Sequence, residues 1–202
     1  NGNHGSINGS ALTYIDGVVG KAGVFDGNKN IILPNPEILK VKGELTVSMW
    51  VKSNSVPSST RLDIFFVGRD VNSGYGIASY GGNGFDFIIF TDTGRYNLSF
   101  TIYSVLTHIV IKYDPLKGIF IYKNGILTYT NKDARGTIEY PEMFTPCLGS
   151  HGGSIYKYIG EIQDFRIYDH CLSDKEIYDL SKALVLKYDF DASSKNAQQA
   201  VI

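Results

Sequence analysis

The segment Gly118-Ile-Phe-Ile-Tyr-Lys-Asn-Gly-Ile-Leu-Thr-Tyr-Thr130 constrains this chain more than any other. Asn124-Gly125 separates two runs of β-branched and aromatic residues. Both turn residues tolerate positive φ, which a two-residue type I′ turn requires. A β-hairpin is therefore expected here, and the rest of the chain agrees with it. In Leu45-Thr-Val-Ser-Met-Trp-Val51, Leu45, Val47, Met49 and Val51 share one face, with Thr46, Ser48 and Trp50 on the other. Phe85–Phe90 and Asn97–Ile102 read as strands around the turn-like Thr91-Asp-Thr-Gly94. His108–Tyr113 reads as another, stopped by Asp114-Pro115. The one good helix signal is Ser173-Asp-Lys-Glu176, a capping box with Leu172 and Ile177 placed as a hydrophobic staple; it predicts a helix from Asp174 to about Lys182. One helix among many strands, with no βαβ alternation, excludes a parallel α/β sheet.

The 202 residues suit one large all-β domain. Tyr 14, Phe 11 and Gly 22 fit many strands joined by tight turns. Nineteen Lys and Arg against twenty Asp and Glu leave a formal charge of -1, and no basic run offers a footprint for nucleic acid. No apolar run reaches the about 18 residues of a membrane span. The chain begins at Asn1 with no visible export signal, so the expectation is a piece trimmed from a longer protein. Cys147 and Cys171 leave two readings open, a pair of buried thiols or one disulfide stapling the last strands. Cysteine this scarce does not make a disulfide framework.

Five segments in order carry a resemblance. They are Asn1-Gly-Asn-His-Gly5 with Ile7-Asn-Gly9; Gly20-Lys-Ala-Gly-Val-Phe-Asp-Gly27; Leu45–Val51; His108–Asp114 leading to Tyr122-Lys-Asn-Gly125; and Gly160-Glu-Ile-Gln-Asp-Phe-Arg-Ile-Tyr168 with Leu172–Glu176. Together they resemble the laminin-G-like, pentraxin-related domains of the concanavalin A-like lectin/glucanase superfamily. Two positions depart from that pattern. Leu106 stands where the family has Trp, and Gln163 replaces the first of a carboxylate pair, leaving Asp164. The resemblance implies an all-β, two-sheet antiparallel jelly-roll sandwich with one short helix near the C-terminus. The expected division is a sandwich over 1–172, the capped helix over 173–182 and a C-terminal strand segment over 183–202.

Candidate sites follow from residues and resemblance together. In Ile162-Gln-Asp-Phe165 the apolar residues are three apart, so a β-bulge is expected at Gln163-Asp164, re-aiming a side chain. Two readings of Asp164 stand. It bonds neighbouring amides or Arg166, or it meets Asp26 and Asn28 at a sheet rim and holds Ca²⁺, an ion that takes about 6–8 oxygen ligands. Many relatives carry such a structural calcium, so Asp26, Asn28 and Asp164 are the candidate set. For a sugar, the glycine-rich loop expected over 73–84 offers Tyr75, Tyr80 and Asn83, and the loop expected over 149–156 offers His151 and Tyr156. Aromatic faces stack on sugar C–H faces while amides and charges pair with hydroxyls; equally, these tyrosines pack on the sandwich. Catalysis lacks support. No Glu-x-Asp-x-Glu run is present, and regular pleating puts Glu161 and Asp164 on opposite faces.

The segment Ala183-Leu-Val-Leu-Lys-Tyr-Asp-Phe-Asp191 resembles the strand that normally opens such a domain, yet here it comes last. It either begins a next repeat or folds back as the missing first strand, and Leu184–Phe190 is expected to complete the sheet within the chain. The functional expectation is a non-catalytic recognition or adhesion module from a larger secreted, cell-surface or virion protein, with a glycan or cell-surface polysaccharide as ligand and neighbouring repeats as further partners. Phage fibres and bacterial surface enzymes are the contexts the resemblance suggests. The alternatives are a structural spacer or protein-interaction domain and, behind it, a glycoside-cleaving enzyme.

Overall fold

The computed structural model describes residues 4–54, 61–69, 72–79, 84–142 and 144–182. Two antiparallel seven-stranded sheets pack face to face. In the first sheet the order is β1 (Ser6–Gly9), β4 (Lys29–Ile32), β13 (Phe144–Leu148), β6 (Leu62–Arg69), β7 (Ser73–Ser79), β8 (Gly84–Thr91) and β9 (Gly94–Thr101). The second runs β12 (Ile126–Asn131), β11 (Gly118–Lys123), β10 (Thr107–Asp114), β5 (Leu45–Ser53), β14 (Ile159–Tyr168), β3 (Lys21–Asp26) and β2 (Thr13–Asp16). The all-β sandwich read from the sequence is the fold observed. The strand expected at Leu184–Phe190 lies outside the described residues.

Alternation sets the core. Leu45, Val47, Met49 and Val51 are fully buried between the sheets, facing Phe65, Ile77 and Phe87 of the opposite sheet within one cluster. The other face of β5 is buried as well, because the chain returns over it. Thr46 Oγ1 donates to the His170 carbonyl at 2.7 Å and accepts from the Leu172 amide at 3.1 Å. Ser48 Oγ lies 3.0 Å from His108 Nε2, and the Trp50 and His108 rings sit 5.1 Å apart.

The local signals hold. Asn124 and Gly125 take φ of 50° and 80°, with Lys123 paired to Ile126 across the turn. Helix α1 (Asp174–Leu180) starts at Ser173 with the full capping box, and ends two residues short of Lys182. Leu172 and Ile177 pack with Val110 and Tyr122, which fastens the helix to the outer face of the second sheet. Ser173→Ala is expected to cost about 1 kcal/mol, read from the urea midpoint. Helix docking worth more than the cap alone would show as a larger loss and sink that figure.

One expectation changes. Ser73–Ser79 is a buried central strand, not a loop. Its glycines serve close approach: Gly74 pairs with Gly68, and a Cβ at either would meet the facing backbone. Tyr75 is consequently a core residue. Of the two readings left open for the cysteines, the thiol one holds: both are free, Cys147 buried and Cys171 partly so. Cys147 Sγ donates to the Thr145 carbonyl and Cys171 Sγ to the Tyr113 carbonyl, and burial pushes the Cys171 thiol up to about 11.

Candidate functional site

β14 carries the expected bulge. Its pairing with β5 shifts register between Gln163 and Arg166, and Asp164 takes a left-handed φ of 51°. Arg166 pairs opposite Ser48, on the outward side, and its Nε donates to Asp164 Oδ1 at 2.7 Å. Asp164 therefore faces outward together with Glu161, contrary to the regular-pleat expectation, because the extra residue inverts the alternation. Glu161 is engaged by Lys52 at 2.7 Å.

The calcium set does not assemble. Asp26 pairs with Ile159, five residues along β14 from Asp164, a separation of about 17 Å at strand rise. Asp26 Oδ1 accepts from the Asn28 amide at 2.9 Å, and Oδ2 lies 3.3 Å from Lys29 Nζ. The Asn28 amide bond, followed by Lys29, holds the Asp26 carboxyl below its usual range. Asp26 and Asn28 thus form a local turn at one end of β3, while Asp164 pairs with Arg166 at the other. Among the described residues, the one grouping of metal-type ligand atoms is Glu44, Asp114 and Cys171. There the Asp114 oxygens already accept from the Leu116 amide and Lys117, and Glu44 accepts from the Cys171 amide.

Of the five expected sugar contacts, Tyr80 and Asn83 lie outside the described residues. Tyr75 is fully buried and donates to the Leu39 carbonyl at 3.0 Å, so its ring offers nothing to solvent. His151 and Tyr156 do come together, in a cluster that sequence reading only half anticipated. Asp63, at the start of β6, is 0 % exposed. Arg61 Nε and Nη2 donate to its two oxygens, each at 2.9 Å, in a fork-to-fork bond. His151 Nδ1 lies 2.9 Å from Oδ2, where the tautomer protonated on Nδ1 donates. The Asp63 amide donates to the Tyr156 carbonyl at 2.7 Å. The His151 ring sits between Phe66 and Tyr156, and is buried rather than presented as a ligand contact.

Tyr156 is what this scaffold presents. The residue is 39 % exposed, with the Arg61 guanidinium carbon 4.2 Å from its ring centroid. Its φ of 52° is left-handed, a conformation that costs a residue with a Cβ about 1–2 kcal/mol. Asn8 is exposed nearby, donating to the Gly153 carbonyl, to which buried Asn30 also donates. The site lies at the edge of the first sheet's outward face, whose centre is a closed apolar set of Phe66, Ala78, Ile88 and Phe90. Neither Arg61 nor Asp63 was singled out from sequence. The Arg-x-Asp spacing at a strand start was the available signal, but nothing local tied it to residue 151.

A family model described as the concanavalin A-like lectin/glucanases superfamily matches residues 25–178. The chain belongs to this superfamily. Among solved members of the fold, the chain is similar to domain 4 of AbnA, a GH43 extracellular arabinanase from Geobacillus stearothermophilus solved with arabinotriose. That likeness has 22% identity, a TM-score of 0.68 and 88% coverage of both chains. It is also similar to the botulinum neurotoxin serotype G binding domain, at 16% identity and a TM-score of 0.70, covering 89% of this chain and 46% of that one. A third likeness is to the binding domain of botulinum neurotoxin DC in complex with SialylT, at 18% identity and a TM-score of 0.68, covering 89% and 47%. The chain thus spans about half the length of these toxin binding domains. No curated protein sequence matches it. At these identities the structural likenesses establish the concanavalin A-like sandwich. No helix among the described residues is long and apolar enough to cross a membrane.

Proposed function

We propose that this domain is a non-catalytic carbohydrate-recognition module of an extracellular protein, with Tyr156 and Arg61 as its contact pair. The observation that carries this reading is the strained, half-exposed Tyr156, held by a buried Arg61–Asp63–His151 network. A left-handed non-glycine residue persists only where its surroundings over-determine it, and such residues concentrate at ligand clamps. A pre-fixed aromatic ring also spares the ordering cost that binding otherwise carries. The arabinanase domain, solved with arabinotriose, and the botulinum neurotoxin DC binding domain, solved with SialylT, support the ligand class. Asp26 and Asp164 are too far apart to share an ion, so the reading includes no calcium requirement. Glu161 is tied to Lys52 and Asp164 to Arg166, which speaks against these two as a carboxylate pair for glycoside cleavage.

The test is a glycan array that includes arabinotriose and sialylated oligosaccharides, followed by calorimetry on any hit, with and without chelator. Tyr156→Ala is expected to weaken binding about tenfold or more, or about 1.4 kcal/mol, with the circular dichroism spectrum unchanged. An empty array, or an unaltered affinity in Tyr156→Ala, overturns the assignment. Release of reducing sugar from a polysaccharide panel overturns its non-catalytic part.

A further inference from the structure

β11 breaks its own pattern at its last residue. Ile119 and Ile121 are fully buried in the core between the sheets, and alternation gives Lys123 the same face. This lysine is half-buried at the end of the sandwich where β9 and β11 stop. Neutral groups hold its ammonium. Nζ donates to Thr101 Oγ1 at 2.9 Å and to Tyr129 Oη at 3.4 Å. The Tyr103 and Tyr129 ring centroids lie 5.3 and 5.2 Å from it. Ring faces attract a cation without cancelling its charge. An ammonium has three N–H donors, and among the described residues this one has neither a third acceptor nor a carboxylate. The sequence shows why. Between Thr93 and Lys132 the one acid is Asp114. It pairs with Gly118 at the far end of β11, about 17 Å along the strand from Lys123, and Lys117 engages its carboxylate. Charges drawn toward a core are ordinarily paired, and departures from such rules gather at functional sites.

From this we infer that Lys123 and Tyr103 form a second ligand contact, one for the anionic group of an acidic sugar. A carboxylate or sulfate takes the unused N–H of Lys123, and the sugar ring lies on Tyr103. The inference rests on the carbohydrate reading given above, but on residues separate from Arg61 and Tyr156. Tyr103 is 55 % exposed, and its carbonyl accepts from the Ser53 amide at 3.3 Å, which fixes it over the end of β5. Its ring is therefore presented beside the cation rather than folded into the core. A sugar fits better than an acidic peptide. β11 is paired with β10 on one side and β12 on the other, so a flat aromatic face, not an open backbone edge, adjoins the charge. Carboxylate and sulfate share the chemistry that Lys123 would recognise, since an ammonium acts as a point charge with rotatable donors.

The test is calorimetry on the full chain with probes of matched length. A hyaluronan hexasaccharide carries carboxylates, a heparin hexasaccharide adds sulfates, cellohexaose is neutral, and hexaglutamate is the acidic peptide. The parent chain is expected to bind an acidic sugar about tenfold or more tightly than cellohexaose, with the preference shrinking as salt is raised. Lys123→Met, which keeps the buried stem, should abolish that preference, and Lys123→Arg should keep it. Tyr103→Ala, at an exposed position, should weaken the acidic sugar about tenfold and reads the same contact if Lys123→Met fails to fold. Which of the two acidic sugars is preferred tells carboxylate from sulfate. Equal affinity for acidic and neutral sugars overturns the inference, as does an unaltered preference in Lys123→Met or hexaglutamate binding as tightly as the sugar. Sugar binding that is lost in Tyr156→Ala but not in Lys123→Met removes this inference and leaves the carbohydrate reading standing. Binding of no sugar at all overturns both.

Discussion

Asp63→Ala is expected to destabilise the domain by about 3 kcal/mol, the lower end of what breaking a buried ion pair costs. The Asp63 side chain is wholly buried, and Arg61 is 14 % exposed. Removing the carboxylate takes two charge-assisted bonds from the Arg61 guanidinium and an acceptor from His151 Nδ1. The lower end applies because the partly exposed Arg61 can turn toward water. Asp63→Asn keeps the volume and one acceptor oxygen, so its loss should be about half as large. Urea denaturation of both variants measures this. A loss below about 1 kcal/mol for Asp63→Ala would mean the network is no more than a surface pair. A second readout separates stability from recognition. In buffer where Asp63→Asn remains folded, glycan affinity should still fall, because the Arg61–Tyr156 pair loses its anchor.

The second large effect is acid lability set by His108. Burial, against a smaller opposing influence from Asp164, holds this imidazole at about 4, with Arg166 pushing in the same direction as burial. In the unfolded chain the ordinary value is about 6.5. The folded value is the lower one, so on acidification the unfolded chain takes up the proton first. The stability is thus fully present above about pH 6.5 and is lost as pH falls toward 4, reaching about 3 kcal/mol. The carboxylates held below their usual range, Asp26, Asp114 and Glu176 among them, lose their contribution only at lower pH. The window between pH 6.5 and 4.5 therefore reports mainly on His108. His108→Gln should flatten the urea midpoint across it. An unchanged slope in that variant would assign the acid response to another group.

What was legible in the sequence was what neighbours along the chain decide. The Asn124-Gly125 turn, the Ser173–Glu176 box and the bulge in Ile162–Phe165 each depend on a few consecutive residues, and each stands where it was expected. Tyr75 was misplaced because its burial depends on β6 and β8 flanking it, and two glycines within the strand looked like loop. The candidate ion ligands are kept apart by register. Asp26 and Asp164 sit on adjacent strands, but their offset is fixed by pairings that neither segment reveals alone. Half of the Tyr156 cluster was found through its glycine-rich loop. The other half required Asp63 to meet His151 across 88 positions, a contact only the folded sheet order creates.

The bulge at Asp164 has one more consequence. Before it, odd-numbered residues of β14 face outward; after it, even-numbered ones do, and at the same point the pairing with β3 stops. One inserted residue thus sets two phases of a single ribbon. Straightening the strand with that residue kept would be felt along the whole later half: Phe165 and Ile167 would turn to solvent while Arg166 swung between the sheets. Removing the extra residue itself would leave Ile167 paired with Val47 and still facing inward, so the bulge re-aims Asp164 without being needed for the later register.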